Sequence, residues 1–216
     1  VVRLVGSEMC IRDRLKTMLD AYLNNDTASF AVEYRLKHFN EGYRWMLIRG
    51  LAVRGSDGTA YRIAGSQTDI TEKKLSDAKS IHDALHDTLT GLPNRTLFLD
   101  RIRQILKKRE RNQNLQYAII YIDLDRFRLV NESLGHVHGD ELIIQTGHRL
   151  RDCVQPGDTV ARLGGDEYAI LMEDIDDINL AIELTETIQS DFSKPFSLGD
   201  KEAVSYTHLR AHETDY

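Results

Sequence analysis

The stretch RLGGDEYAIL, residues 162–171, places two glycines and two carboxylates between apolar residues. The apolar flanks predict the two strands of a hairpin, and Gly164-Gly165 predicts its turn, because glycine adopts backbone angles that other residues avoid. Asp166 and Glu167 follow the turn directly. Since the glycines carry no side chain, a substrate phosphate could approach the backbone there. The pattern predicts a hairpin that presents carboxylates beside an open turn.

A second pair of carboxylates ends the run QYAIIYIDLD, residues 116–125, which is typical of a buried central strand. If this strand ends beside the glycine turn, Asp123 and Asp166 lie close together, and such a pair is unfavourable without a cation between them. Mg²⁺ prefers one or two carboxylates plus phosphate oxygens. This predicts metal-assisted phosphoryl or nucleotidyl transfer. Acids at strand ends are also commonly solvated turn residues, so the spacing alone leaves both interpretations open.

The remaining patterns predict an α/β domain with a mixed sheet, because helical and strand periodicities alternate. Helices are expected over 94–109, 140–154 and 178–192. Upstream, the alternating runs FAVEYRLKHF, YRWMLIRGLAV and TAYRIAGSQTDI predict three antiparallel strands in a meander, preceded by a helix over 12–24.

Residues 70–86 predict a helix with a narrow apolar stripe, formed by Leu75, Ala78, Ile81 and Leu85. Such a stripe suits a short coiled coil between two protomers. An ordinary amphipathic connector has the same periodicity, so both interpretations stand.

Composition excludes several classes of protein. The chain has 28 Lys and Arg against 34 Asp and Glu, a net charge of −6, which argues against a protein that grips nucleic acid through its phosphates. No apolar run reaches the roughly 20 residues that cross a bilayer. Two cysteines without spaced partners argue against a disulfide framework or a cysteine zinc site, and a cytoplasmic location fits best.

Three motifs together resemble one family. DTLTGLPNR at 87–95, DLDRFRLVNESLGHVHGDELI at 123–143 and RLGGDEYAIL at 162–171 look like a GGDEF domain of the diguanylate cyclases. Residues from about 28 to 75, ending RIAGSQTDITEKK, resemble the C-terminal half of a PAS sensor domain. The resemblance implies a palm-like nucleotide-cyclase fold with a central sheet, preceded by a partial antiparallel PAS sheet and a linker helix.

The resemblance also implies the reaction and its residues. Two GTP molecules, one for each protomer of a homodimer, would condense to cyclic di-GMP with Mg²⁺ or Mn²⁺ as cofactor. Asp123 and Asp166, with the Leu124 carbonyl, would bind the metal, and Glu167 would assist in deprotonating the 3′-hydroxyl or hold a second metal. Asn131 and Asp140 would bind guanine. The backbone of Arg126 and Phe127 and the Gly164-Gly165 turn would contact the triphosphate. Arg128 would offset the charge that develops on the phosphates.

This sequence departs from the family pattern in places. Tyr168 replaces the last aromatic residue of the motif, and Arg128 replaces a lysine. The family's product-inhibition site is an Arg-x-x-Asp window before the glycines, whose first position here is Gln155 and whose last is Asp158. Because glutamine lacks the charged fork of arginine, we expect weak or absent product inhibition.

Both ends of the chain differ from what the resemblance implies. We expect residues 1–13 and 205–216 to be foreign tails around a partial PAS domain (14–70), a linker helix (71–86) and a C-terminally truncated GGDEF domain (87–204). Truncation would expose an edge of the sheet. The expected later strand, and the helix that supplies Lys and Arg to the triphosphate, are not found in 204–216.

Three hypotheses follow. The first is a PAS-regulated diguanylate cyclase. The second is a degenerate GGDEF domain that binds GTP and regulates a C-terminal phosphodiesterase (EAL) domain in the parent protein. The third, a PAS-driven dimerisation module, is disfavoured by the complete set of Asp123, Asp166 and Glu167.

Overall fold

The computed structural model describes residues 8–24, 30–39, 42–199, 201–203 and 207–212. The chain divides into two compact units, Val1–Ser80 and Ile81–Tyr216.

The first unit is a helix and a three-stranded sheet: α1 (Glu8–Leu23), β1 (Phe30–His38), β2 (Gly42–Arg54) and β3 (Ala60–Asp69). The strands pair antiparallel in the order β1-β2-β3, so the predicted meander is confirmed. Tyr22 of α1 packs with Phe30 and Val32 in a small buried cluster. Helix α1 therefore covers part of the apolar face of the sheet, and this packing against a helix helps to stabilise so small a sheet.

Helix α2 (Thr71–Leu85) begins where β3 ends. The Asp69 carboxylate accepts a hydrogen bond from the Thr71 N–H at 2.9 Å and pairs with Arg44 of β2 at 2.8 Å. The Trp45 N–H donates to the Thr71 hydroxyl at 2.8 Å. These bonds fix the first turn of α2 to the sheet: Asp69 satisfies the Thr71 N–H, a group that a helix end leaves without a partner, and the Thr71 hydroxyl binds β2.

The second unit contains the remaining elements, which follow in chain order: α3 (Arg95–Arg111), β4 (Gln116–Leu124), α4 (Phe127–Leu134), α5 (His136–Cys153), β5 (Thr159–Gly164), β6 (Glu167–Ile175), α6 (Asn179–Phe192), β7 (Phe196–Leu198), β8 (Lys201–Ala203) and β9 (Thr207–His212). The main sheet has the order β5-β6-β4-β9. The α/β class is confirmed. The prediction of a mixed sheet is wrong in one respect, because each described strand pair of this sheet is antiparallel.

Strand β4 packs against the core on both faces. Ile120 and Ile122 are fully buried in the larger core cluster, while Tyr117 and Ile119 on the opposite face are partly buried against a second cluster beneath α3. Two buried faces explain why residues 116–125 form a continuous apolar run instead of an alternating one. The predicted central strand is therefore confirmed.

Two features differ from the sequence-based expectations. Helix α4 was not predicted, because eight residues are too few for a helical periodicity to be recognised in the sequence. Residues 207–212, expected to belong to a foreign tail, form β9 and pair with β4 from Ile119 to Leu124. The edge of β4 that truncation was expected to expose is thus covered, whereas the foreign origin of the tails stays a prediction.

No helix within the described ranges is long and apolar enough to cross a membrane.

Candidate active site

The carboxylates of the two motifs meet at one end of the main sheet. Asp123 of β4 and Glu167 of β6 are directly opposite each other in the antiparallel register. The Leu124 N–H donates to the carbonyl of Asp166 at 3.4 Å, which joins the end of β4 to the glycine turn. The structure therefore brings together Asp123, Asp166 and Glu167, as the two motifs predicted.

Negative charge is concentrated around Asp123. Partial burial raises the pKa of its carboxyl above the usual value, and repulsion from Asp166, Glu167 and Asp125 raises it further. A raised pKa means that the folded protein disfavours the ionised form. A bound cation would relieve this repulsion.

The donor set suits a metal that shares its ligands with a substrate. Within the described residues, no three His, Cys, Asp or Glu side chains are grouped so that they could hold a metal by themselves. The site offers the carboxylates of Asp123 and Asp166 and the nearby carbonyl of Leu124. Because Mg²⁺ typically binds one or two carboxylates together with phosphate oxygens and water, these residues fit a metal that arrives with a triphosphate.

The glycine turn is open, as predicted. Gly164 has φ 144° and Gly165 has φ 56°, and both are conformations that side-chain-bearing residues rarely adopt. A Cβ built on either residue would meet no atom within 4 Å. The space in front of the turn is therefore free for a substrate, and glycine is needed for the backbone conformation.

The start of α4 provides a second backbone surface. Arg126 has φ 60° and ψ 21°, a left-handed conformation that is uncommon for a non-glycine residue, and Phe127 is the first residue of the helix. This strained residue directs the chain from the end of β4 into the helix, whose first N–H groups favour anions. Arg128 is 91% exposed and forms an ion pair with Glu132 at 2.8 Å.

The predicted guanine-reading residues lie on neighbouring helices. Asn131 is in the last turn of α4, and Asp140 is exposed in α5. The Asn131 side chain lies against Gly139, the residue that precedes Asp140. The structure thus brings these two residues to the same place, the α4–α5 junction.

Sequence reasoning missed Tyr121. It lies two residues before Asp123 on the same face of β4, diagonally opposite Glu167. Burial, and a hydrogen bond to the Glu167 carboxylate together with its charge, raise the pKa of the Tyr121 hydroxyl to about 12. Strand periodicity could have identified this residue, since positions i and i+2 share a face.

Sequence reasoning also missed the partners of Arg162. Its guanidinium donates to both carboxylate oxygens of Asp87, at 3.0 and 3.1 Å, and to the Gly165 carbonyl, at 2.7 and 3.0 Å. The Thr90 hydroxyl and N–H also donate to Asp87. Arg162 therefore ties the 87–95 segment to the glycine turn. An Asp followed three residues later by Thr was the available signal.

Residues 155–158, which correspond to the family's product-inhibition motif, form a turn that is closed by a hydrogen bond. An Asp158 carboxylate oxygen accepts a hydrogen bond from the Gln155 N–H at 3.1 Å. Burial raises the pKa of Asp158, and the charge of Glu173 adds to this shift, while backbone N–H groups of Gln155 and Glu173 oppose it. Asp158, the remaining acid of the window, is thus hydrogen-bonded by the backbone of its own loop.

Family models and curated proteins match both parts of the chain. The family model "Diguanylate cyclase, GGDEF domain" matches residues 84–210, and a PAS fold model matches residues 4–67. The chain is 33% identical over 158 residues to diguanylate cyclase TpbB of Pseudomonas aeruginosa UCBPP-PA14, covering 72% of this chain and 36% of TpbB. It is 40% identical over 139 residues to the bifunctional diguanylate cyclase/cyclic di-GMP phosphodiesterase MucR of Pseudomonas aeruginosa PAO1, covering 63% of this chain and 20% of MucR.

Solved structures show the same fold. The GGDEF domain of TpbB from Pseudomonas aeruginosa PAO1 matches with 33% identity and a TM-score of 0.56, covering 58% of this chain and 73% of that chain. A sensory box/GGDEF family protein from Caulobacter crescentus CB15 matches with 32% identity and a TM-score of 0.56, covering 59% and 82%. Since the family model extends over more than half of the chain and includes the carboxylates at the glycine turn, the chain belongs to the diguanylate cyclase family, and a PAS fold precedes its GGDEF domain.

Proposed function

We propose that this chain is the catalytic and sensor-linked part of a diguanylate cyclase that condenses two GTP molecules to cyclic di-GMP. In each half-reaction a 3′-hydroxyl attacks the α-phosphate of the other GTP, the new phosphodiester forms, and pyrophosphate leaves with its electron pair. The observation that carries the proposal is the position of Asp123 opposite Glu167 and beside Asp166, at an open glycine turn.

The residues divide the work between binding and proton transfer. The Gly164-Gly165 turn and the Arg126–Phe127 backbone bind the triphosphate, and Arg128 offsets its charge once substrate competes with Glu132. Asn131 and Asp140 bind guanine, whose N1–H and amino group need an acceptor. Glu167 accepts the proton of the attacking hydroxyl, and Tyr121 holds the Glu167 carboxylate in place.

Asp123, Asp166 and the Leu124 carbonyl are the ligands we assign to Mg²⁺ or Mn²⁺, which neutralises phosphate charge and activates the attacking hydroxyl when bound. The raised pKa of Asp123 supports this assignment, because it reports negative charge that the protein does not compensate by itself.

A homodimer would bring two GTP-loaded sites together. The apolar stripe on α2 supports this, because Leu75 and Ile81 are 65% and 63% exposed and α2 has no buried residue. A rotation of α2, started at its bonds to the PAS sheet, would change how the two sites face each other.

We further propose a cytoplasmic location, where GTP is available, and a C-terminal phosphodiesterase domain in a longer parent, as the similarity to MucR suggests.

The test is turnover of GTP. The purified protein is incubated with GTP and Mg²⁺, and cyclic di-GMP is followed by chromatography. Asp166→Ala should abolish the product, whereas Asp176→Ala, which removes an exposed acid just beyond the other end of β6, should leave the rate unchanged. GTP binding without any product in the wild type would contradict the cyclase and support a GTP-binding regulatory module.

A further inference from the structure

We propose that Gly139 is a positioning residue for nucleotide recognition: its missing side chain is the space that the Asn131 amide occupies. The proposal rests on the proposed function, because it assigns Gly139 a part in how Asn131 contacts guanine. Gly139 would thereby help to determine affinity for GTP without touching the nucleotide.

The geometry at the α4–α5 junction carries the proposal. Gly139 is a buried residue of α5, and a Cβ built on it would lie 2.9 Å from Cγ of Asn131 and 3.5 Å from Nδ2, with Oδ1 closer still. Real Cβ atoms essentially never approach another heavy atom so closely. A methyl group at this position and the present Asn131 rotamer therefore exclude each other.

The backbone on both sides of the contact is fixed. The Gly135 N–H donates to the Asn131 carbonyl at 3.0 Å, and the Gly139 N–H donates to the Gly135 carbonyl at 3.2 Å. Gly135 itself has φ 88°, which sets the angle between the two helices. Because these bonds hold the main chain, the Asn131 amide is the part that would move.

An alanine at this position is therefore expected to displace the amide without unfolding the protein. The clashing atoms are the end of a flexible side chain, and alanine is a better helix former than glycine by about 1 kcal/mol. The displaced amide would leave its place against Gly139, the residue before Asp140, and would lose a hydrogen bond to the base. Loss of one such bond corresponds to about a tenfold weaker affinity.

The experiment compares two glycines of the same helix. Gly147 is also buried in α5, but a Cβ there would meet Leu92 and Thr90 instead of Asn131. Binding of a GTP analogue with a non-hydrolysable α–β bridge is measured by calorimetry with Mg²⁺ for Gly139→Ala, Gly147→Ala, Asn131→Ala and the Asn131→Ala/Gly139→Ala double variant, with thermal unfolding as the folding control.

We expect Gly139→Ala to weaken binding about tenfold, and Gly147→Ala to leave it unchanged. On the Asn131→Ala background, Gly139→Ala should have almost no further effect, because the residue through which it acts is gone. A folded Gly139→Ala protein with unchanged affinity, or with a loss that adds fully to that of Asn131→Ala, would overturn the proposal.

A second measurement separates this proposal from the proposed function. The side-chain amide resonances of Asn131, identified by their absence in Asn131→Ala, should shift in Gly139→Ala and not in Gly147→Ala. Unshifted resonances overturn the positioning role even if GTP binds. A wild type that binds no nucleotide overturns the proposed function, and with it the recognition role of Gly139, whatever the resonances show.

Discussion

At the scale of single residues, Asp123, which we propose as a metal ligand, shows how a candidate site residue can oppose stability. Its pKa is raised by burial and by three neighbouring acids, so its ionised form destabilises the folded protein at neutral pH, and this effect disappears as the pH falls below the raised pKa. Without metal, Asp123→Asn should therefore stabilise the protein by about 0.5 kcal/mol, a small value because only a minor part of the side chain is buried and solvent screens the repulsion. Thermal unfolding measures this. The variant should also lose the further stabilisation that Mg²⁺ and GTP give the wild type, and a variant less stable than the wild type would contradict the account.

Two tyrosines allow a matched comparison at the same scale. Tyr121 has Glu167 as its partner, whereas the buried Tyr168 hydroxyl donates to the Ile143 carbonyl at 2.7 Å in the core. Tyr121→Phe should lower kcat about tenfold with little change in KM or stability, because the proton acceptor loses its orientation. Tyr168→Phe should cost about 1 kcal/mol of stability with normal kcat. Activity assays and urea unfolding distinguish the two, and identical behaviour of the two variants would refute the assigned role of Tyr121.

At the scale of elements, the Arg162–Asp87 pair connects two segments far apart in sequence. Burial opposes ionisation of Asp87, but hydrogen bonds from Thr90 and Arg162 outweigh it and lower the pKa of this carboxyl. The pair should therefore stabilise the fold fully above the ordinary aspartate pKa of about 4, and less as the pH falls further. Asp87→Ala and Arg162→Ala should each cost about 2 kcal/mol, with a coupling of about 1 kcal/mol in a double-mutant cycle at pH 7. Fully additive losses of stability would show that the two side chains do not stabilise the fold through their interaction.

The loop between α5 and β5 allows a prediction of how the protein responds to its proposed product, cyclic di-GMP. Asp158 accepts a hydrogen bond from the backbone of its own loop, and the position three residues before it is Gln155 instead of arginine. We expect that micromolar cyclic di-GMP leaves the rate nearly unchanged, and that Gln155→Arg introduces inhibition by supplying a bidentate donor. Initial rates at increasing product concentration test both statements. Strong inhibition of the wild type that Asp158→Ala abolishes would contradict them.

At the scale of the whole molecule, the exposed stripe of α2 is the expected contact between two copies of the chain. Ile81→Glu places a charge on the stripe, and Ser80→Glu places the same charge on the opposite flank of the helix. The first variant should lower activity at least several-fold at low protein concentration, because two GTP-loaded sites must meet, and the second should not. Sedimentation and activity across a concentration series check this. Equal effects of the two variants would argue for an ordinary connector helix.

The family, the acids beside the glycine turn and most elements were accessible from the sequence because they depend on local patterns. The hairpin at Gly164-Gly165, the buried strand ending at Asp123 and the helix expected over 94–109 each follow from residue types within a few positions, and the structure confirms them. Helix α4 was not predicted from the sequence because it is only eight residues long.

Other features depend on contacts between distant segments, and only the tertiary structure decided them. The sheet is antiparallel because β6 and β9 both run opposite to β4, and no single segment encodes that arrangement. Arg162 reaches Asp87 across 75 positions, and Gly139 matters because another helix places Asn131 against it. By itself, the sequence determined which residues carry charge and which backbone positions require glycine, since both are properties of one or a few neighbouring residues. The partners of those charges, and the atoms that fill the space beside those glycines, were set by how the elements pack.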